Sequence, residues 1–308
     1  MTGRPGSGAG PVRPAVQGAV AKIILDGELF AALRAGEFGR LAARLALTPD
    51  DVSVLRGISV SGLAHYRNTV QAKHLQHARA VLPVSIGVAV ACLGAEAVRE
   101  DLWARAPLPY RPAARFWQAY LDLTARYLSS LAAESRPPWL PDLVRYEAMR
   151  AAGGGVGPAA RPRPAAAMPA GATPAGGTPA VAGRSRPRLG DGELVTLADG
   201  VRVAAFDWDV IALYAGLRAG TEARELAPRP AAMLVAVCSS GWPAVREFRL
   251  APGMFGVLNR CARPVRVTEL VKEAAGRDPV PETVAGRVRT AVAGALDCGL
   301  LTREASVT

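Results

Sequence analysis

The chain has 308 residues, half of them hydrophobic and a fifth charged, which is enough for two ordinary domains with real cores. Its net charge of +11 is spread unevenly: +2 over residues 1–20, +4 over 21–150, +5 over 151–188 and 0 over 189–308. Much of the excess therefore lies in segments too poor in apolar residues to fold, which argues against a basic DNA-reading surface and makes nucleic acid an unexpected partner.

Residues 1–14 are rich in Gly and Pro and read as a disordered tail with no signal-peptide core. Between Val16 and Leu47, apolar residues at Val20, Ile23, Ile24, Leu29, Phe30, Leu33, Phe38, Leu41 and Leu45 predict two or three short helices, broken near Asp26-Gly27 and Gly36. Thr48-Pro49-Asp50-Asp51 supplies a cap, a first-turn proline and two acids, a helix start. Ser61 to Pro83 predicts a core-facing helix capped by Ser61, with Leu63, Tyr66, Val70, Ala78, Val81 and Leu82 on its inner face and Tyr66 burying its ring. Arg67 and Asn68 project sideways and are expected to satisfy backbone carbonyls at a helix junction ahead of touching a ligand.

Val84 to Leu93 is apolar on nearly every side and ends at Gly94, as in a helix buried in the middle of a bundle. It is also too short to span a bilayer, so the protein is expected in the cytoplasm with no membrane partner. A helix over 95–105 carries Val98, Leu102 and Trp103 inward, and Pro107, Pro109 and Pro112 make an extended connection. The stripe of Phe116, Tyr120, Leu123, Thr124, Tyr127, Leu128 and Leu131 predicts a long helix whose aromatics are core. Pro137-Pro138-Trp139-Leu140-Pro141-Asp142 ends it and starts a last helix through Leu143, Tyr146 and Glu147. Residues 15–150 thus read as an all-helical bundle. Residues 151–188, repeated Gly, Ala and Pro with five arginines and no acids, read as a linker.

From residue 189 the period changes. Glu193–Leu197 and Val201–Phe206 flank Asp199-Gly200, a hairpin signal, and Ala231–Cys238 and Ala244–Leu250 flank a second turn centred on Gly241. A helix over 208–218 lies between them, and helices over 252–261, 268–275 and 281–297 follow, giving residues 189–305 an α+β fold with a winged-helix-like end. A helix-turn-helix reading offers Arg287 and Arg289 to DNA, but a domain of zero net charge is a poor electrostatic match, and a DNA-binding regulator is the alternative to a peptide-docking unit.

Chemistry-bearing motifs are scarce. His74 and His77 stand one helical turn apart, but no carboxylate or thiol lies nearby to complete a metal site, so they read as surface or boundary histidines. Cys92, Cys238, Cys261 and Cys298 are far apart and read as reduced thiols. There is no phosphate-binding loop, zinc-protease motif or nucleophile elbow, so no catalytic residue, cofactor or metal is expected in this chain.

Leu63-Ala64-His65-Tyr66-Arg67-Asn68-Thr69-Val70, Leu82-Pro83, Leu93-Gly94, Pro107 to Pro109, Phe116, and Trp139-Leu140-Pro141-Asp142-Leu143-Val144-Arg145-Tyr146-Glu147 together resemble a helical family that carries a DNA-binding label. Thr69 stands in place of that family's second Asn, Leu82 in place of its Phe and Tyr146 in place of its Leu. The resemblance covers residues 20–150, and more loosely 189–305, where such proteins carry a domain similar to peptide-recognition elements. It implies a partner subunit of a multinuclear non-haem iron oxidase that modifies a ribosomally made precursor peptide, in pathways of the bufferin and methanobactin type. The iron then belongs to the oxidase. The motif residues implied are Tyr66, Arg67, Asn68, Pro83, Trp139, Leu140, Asp142, Tyr146 and Glu147. An extended leader can add to a sheet edge, and Val201, Val203, Ala205 and Phe206 form the candidate edge.

Overall fold

The structure is a computed structural model and describes residues 14–105, 113–153, 189–190, 192–226, 228–239, 245–275 and 282–304. The chain divides into two compact units, Met1–Arg136 and Pro137–Thr308. The expected tail, the proline connection after residue 105 and the expected linker after residue 153 lie outside the described residues.

In the first unit, α1 (Pro14–Leu25), α2 (Gly27–Arg34) and α3 (Phe38–Leu45) are separated where the breaks were expected. Asp26 accepts the free N–H groups of Glu28 and Leu29 at 2.8 and 3.1 Å, and Gly36 takes a φ of +73° that a side chain would strain. Thr48 and Asp51 form a reciprocal capping box at the start of α4 (Pro49–Arg56). Ile23, Ile24, Leu29, Leu33, Leu41, Leu55 and Leu63 close one core over these helices.

The cap of the long α5 (Val60–Val81) is Ser59, two residues before the expected Ser61, and its hydroxyl accepts from the Gly62 N–H at 3.1 Å. Pro83 opens α6 (Pro83–Leu93) as its first residue. Only part of α6 is core: Ile86, Val88 and Ala89 are buried, while Gly87, Ala91 and Cys92 are exposed, so the helix lies at the margin of the bundle and not in its middle. α7 (Ala95–Arg105) buries Val98, Leu102 and Trp103, and α8 (Ala113–Ser129) buries Tyr120, Thr124, Tyr127 and Leu128 against the same bundle.

The second unit opens with α9 (Leu140–Gly153), a helix that the sequence placed at the end of the first. It packs on strands β2 (Val201–Trp208) and β3 (Pro230–Cys238) and on helix α10 (Val210–Arg218). These lie between β1 (Leu194–Leu197) and β4 (Arg246–Arg249) in the chain. Tyr146 and Met149 sit among Phe206, Val210, Met233, Val235 and Val237, which fixes α9 to one face of the sheet. β2, β3 and β4 form one antiparallel sheet in that order, so the strands of the second expected hairpin pair, while its turn lies outside the described residues.

The first expected hairpin does not. Gly200 takes the turn conformation (φ +76°), but β1 leaves β2 and pairs with β5 (Val265–Arg266) and β6 (Leu301–Glu304), in the order β5-β1-β6. Bonds from Leu197 N–H to Cys261 O (2.7 Å) and from Ala198 N–H to Leu300 O (3.0 Å) continue that divergence. Between the strands stand α11 (Pro252–Arg260), α12 (Val267–Ala275) and α13 (Glu282–Asp297). The end is winged-helix-like, with the central strand of its small sheet borrowed from before the helices. Because β3 alternates Val235 and Val237 toward α9 with Ala236 and Cys238 toward the α11–α13 side, both of its faces are buried.

Candidate functional site

Arg67 stands near the first third of α5 and reaches back to the end of α1. Its guanidinium donates to the carbonyls of Ile24 (2.5 Å) and Ile23 (3.5 Å), and it lies over the rings of Phe30 (5.1 Å) and Trp103 (6.0 Å). These are orphan carbonyls of a helix C-terminus, which a cation satisfies best. Burial lowers its pKa, opposed by the charges of Asp26 and Glu100. Its neighbours behave otherwise: Tyr66, expected to bury its ring, is 56% exposed, and Asn68 is exposed as well. A residue one position from Arg67 is turned by about 100° around the helix, so the three cannot share a surface.

Of the two histidines expected at the surface or boundary, His77 is half-buried and only His74 departs from that expectation. His74 is buried, with Nδ1 2.7 Å from the Tyr120 hydroxyl and its ring edge-on to Trp103. His77 packs edge-on against Phe116, Trp117 and Tyr120, and desolvation, with a smaller push from Lys73, lowers its pKa. Among the described residues no three His, Cys, Asp or Glu side chains gather as a metal would need.

Three residues of the second motif, Asp142, Arg145 and Tyr146, build the junction of α9 with the sheet. Trp139, Leu140, Tyr146 and Glu147 are all buried. Asp142 accepts the backbone N–H of Asp207 at 2.7 Å, and Arg145 donates to the carbonyl of Ala205 while stacking over Phe206 at 4.6 Å. One turn later Arg150 bonds the Tyr146 hydroxyl at 3.3 Å, covers the Tyr214 ring at 4.6 Å and pairs with Glu247 of β4. Burial pushes the Tyr146 phenol up to about 12, so it is a neutral donor and acceptor at physiological pH. Arg145, Arg150 and Glu247 were not singled out from the sequence, since a charge on a helix is read by default as a solvated face.

This junction decides which sheet edge is open. β2 is an edge strand, but Phe206 is buried under α9, Val201 is buried and Val203 half-buried in the other core, and the Ala205 carbonyl is taken by Arg145. The opposite edge, β4, makes extensive contact only with β3 among the described elements. Its side chains are anchored alternately: Glu247 and Arg249 to Arg150 and Asp209 on one face, Arg246 and Phe248 toward the α11–α13 core on the other. Anchored side chains beside a backbone edge that no described strand pairs with are what strand addition uses.

No family model matches the chain, and no curated protein matches it.

Proposed function

We propose that this chain is a non-catalytic partner subunit that binds an extended precursor peptide and presents it to a multinuclear non-haem iron oxidase in the cytoplasm. The observation that carries the peptide half of this reading is the β4 edge, a short strand with fixed side chains and one side unpaired among the described residues, across the sheet from a β2 edge held by α9. The oxidase half rests on the resemblance of residues 20–150 to oxidase partners. In this reading the irons and the reacting atoms belong to the oxidase, and this chain contributes binding and orientation.

The test is reconstitution. Purified oxidase is assayed on an intact precursor and on a leaderless core, with and without this chain. Turnover of the intact precursor is expected to rise far more than that of the core. An Arg249→Pro variant, which removes an N–H that β4 turns away from β3, is expected to lose that gain, and Val203→Pro in β2 to keep more of it. Equal turnover with and without the chain would overturn the reading. Discrimination between two DNA duplexes at physiological salt would move it to the regulator alternative.

A further inference from the structure

We propose that a groove between α5 and α7 in the first unit is a docking site for an acidic peptide segment, separate from the β4 edge and independent of the function proposed above. Ala72 and Leu75 from α5 and Ala95 from α7 line it with small and apolar groups, and Gln76, Arg79, Glu96 and Arg99 supply its polar part. The charges do not balance. Glu96 is spent on Arg99, whose terminal nitrogen lies 3.0 Å away, while Arg79 is exposed with no ion-pair partner among the described residues. Guanidinium groups bind carboxylates in paired, directional bonds.

The occupant follows from this lining. The small residues admit close approach of a second backbone, Leu75 offers an apolar contact, and the surplus guanidinium calls for a carboxylate. A segment with a Glu or Asp next to an apolar residue meets all three demands, whereas a basic or neutral segment leaves Arg79 unpaired. Gln76 adds a neutral donor and acceptor on the same wall.

The probe is a fluorescein-labelled, end-capped peptide of repeating Ala-Leu-Glu, titrated with the full chain and followed by anisotropy. Saturable binding is expected, weakened about tenfold by Arg79→Ala, the loss of one charge-assisted carboxylate contact. Arg79→Glu is expected to abolish it and to favour the matching Ala-Leu-Lys peptide. Because Arg79 is exposed, both variants are expected to keep the wild-type melting temperature, and Arg249→Pro is expected to leave this binding unchanged. Free glutarate competing as well as the peptide would show a small-anion site and overturn the proposal. So would peptide affinity indifferent to both Arg79 substitutions, or no binding at all.

Discussion

Arg67 does more for the fold than either neighbour because it alone reaches across to another helix. Its bonds to Ile23 and Ile24 end α1, and its stacking on Phe30 and Trp103 ties α2 and α7 to the same point. Hydrogen bonds from charged donors are worth about 1.5–3 kcal/mol each in such settings. Arg67→Ala is therefore expected to destabilise the first unit by about 2–3 kcal/mol, read as a lower urea midpoint, with Asn68→Ala within about 0.5 kcal/mol of wild type. Equal midpoints would remove the anchor role. His77 supplies a pH test. Its pKa is held below the usual value of about 6.5, so the folded state binds the proton less well than the unfolded chain. Its contribution is complete above that value and is lost as pH falls from about 6.5 toward the lower folded pKa. Urea midpoints at pH 7.5 and 5.5 are expected to fall more for wild type than for His77→Gln.

At the scale of elements, what was legible in the sequence was local. The cap at Thr48, the break at Asp26, the glycine stops and the 3.6-residue stripe of α8 all lie within a few residues of the features that cause them. The cap falls at Ser59, two residues before Ser61, because both serines suit a cap by type, and it is the extended backbone of Ser59 and its bond from the Gly62 N–H that decide between them. The fate of β1 was not legible at all. Two apolar runs around Asp199-Gly200 fit a hairpin, and the strands that β1 pairs with instead begin at Val265 and Leu301. The partner of a strand is a non-local choice made by the core, here by Val195 packing with Cys261, Val267 and Leu301. The site shows the same limit: Asp142 and Tyr146 stand out in the sequence motif, but Arg145 and Arg150 gain meaning only once β2 and β4 lie beneath them. Because Tyr146 fills that contact, Tyr146→Ala is expected to cost about 3–5 kcal/mol of second-unit stability. Tyr146→Phe, which loses only the bond to Arg150, is expected to cost about 0.5–1.5 kcal/mol. Thermal melts of both variants measure the difference.

For the whole molecule, the position of α9 sets where the chain can be divided. The composition change after residue 150 suggests a cut there, because a helical region ends and Gly, Ala and Pro begin. The packing places the division at Arg136, with α9 as the first element of the second unit. A fragment of residues 154–308 would therefore lose Tyr146 and Met149 from the cluster of Phe206, Val210, Met233, Val235 and Val237, baring one face of the sheet. It would also free Glu247, Ala205 and Asp207 from Arg150, Arg145 and Asp142. Each large side chain left exposed forfeits about 1.5–3 kcal/mol of burial, and the loss of several exceeds what a domain of this size has to spare. A fragment of residues 137–308 is accordingly expected to be monomeric with a single cooperative thermal transition. The 154–308 fragment is expected to aggregate or to melt without cooperativity, and to bind a dye for exposed apolar surface. Size exclusion with calorimetry compares the two directly, and a 154–308 fragment as stable as the longer one would show that α9 is dispensable to the sheet.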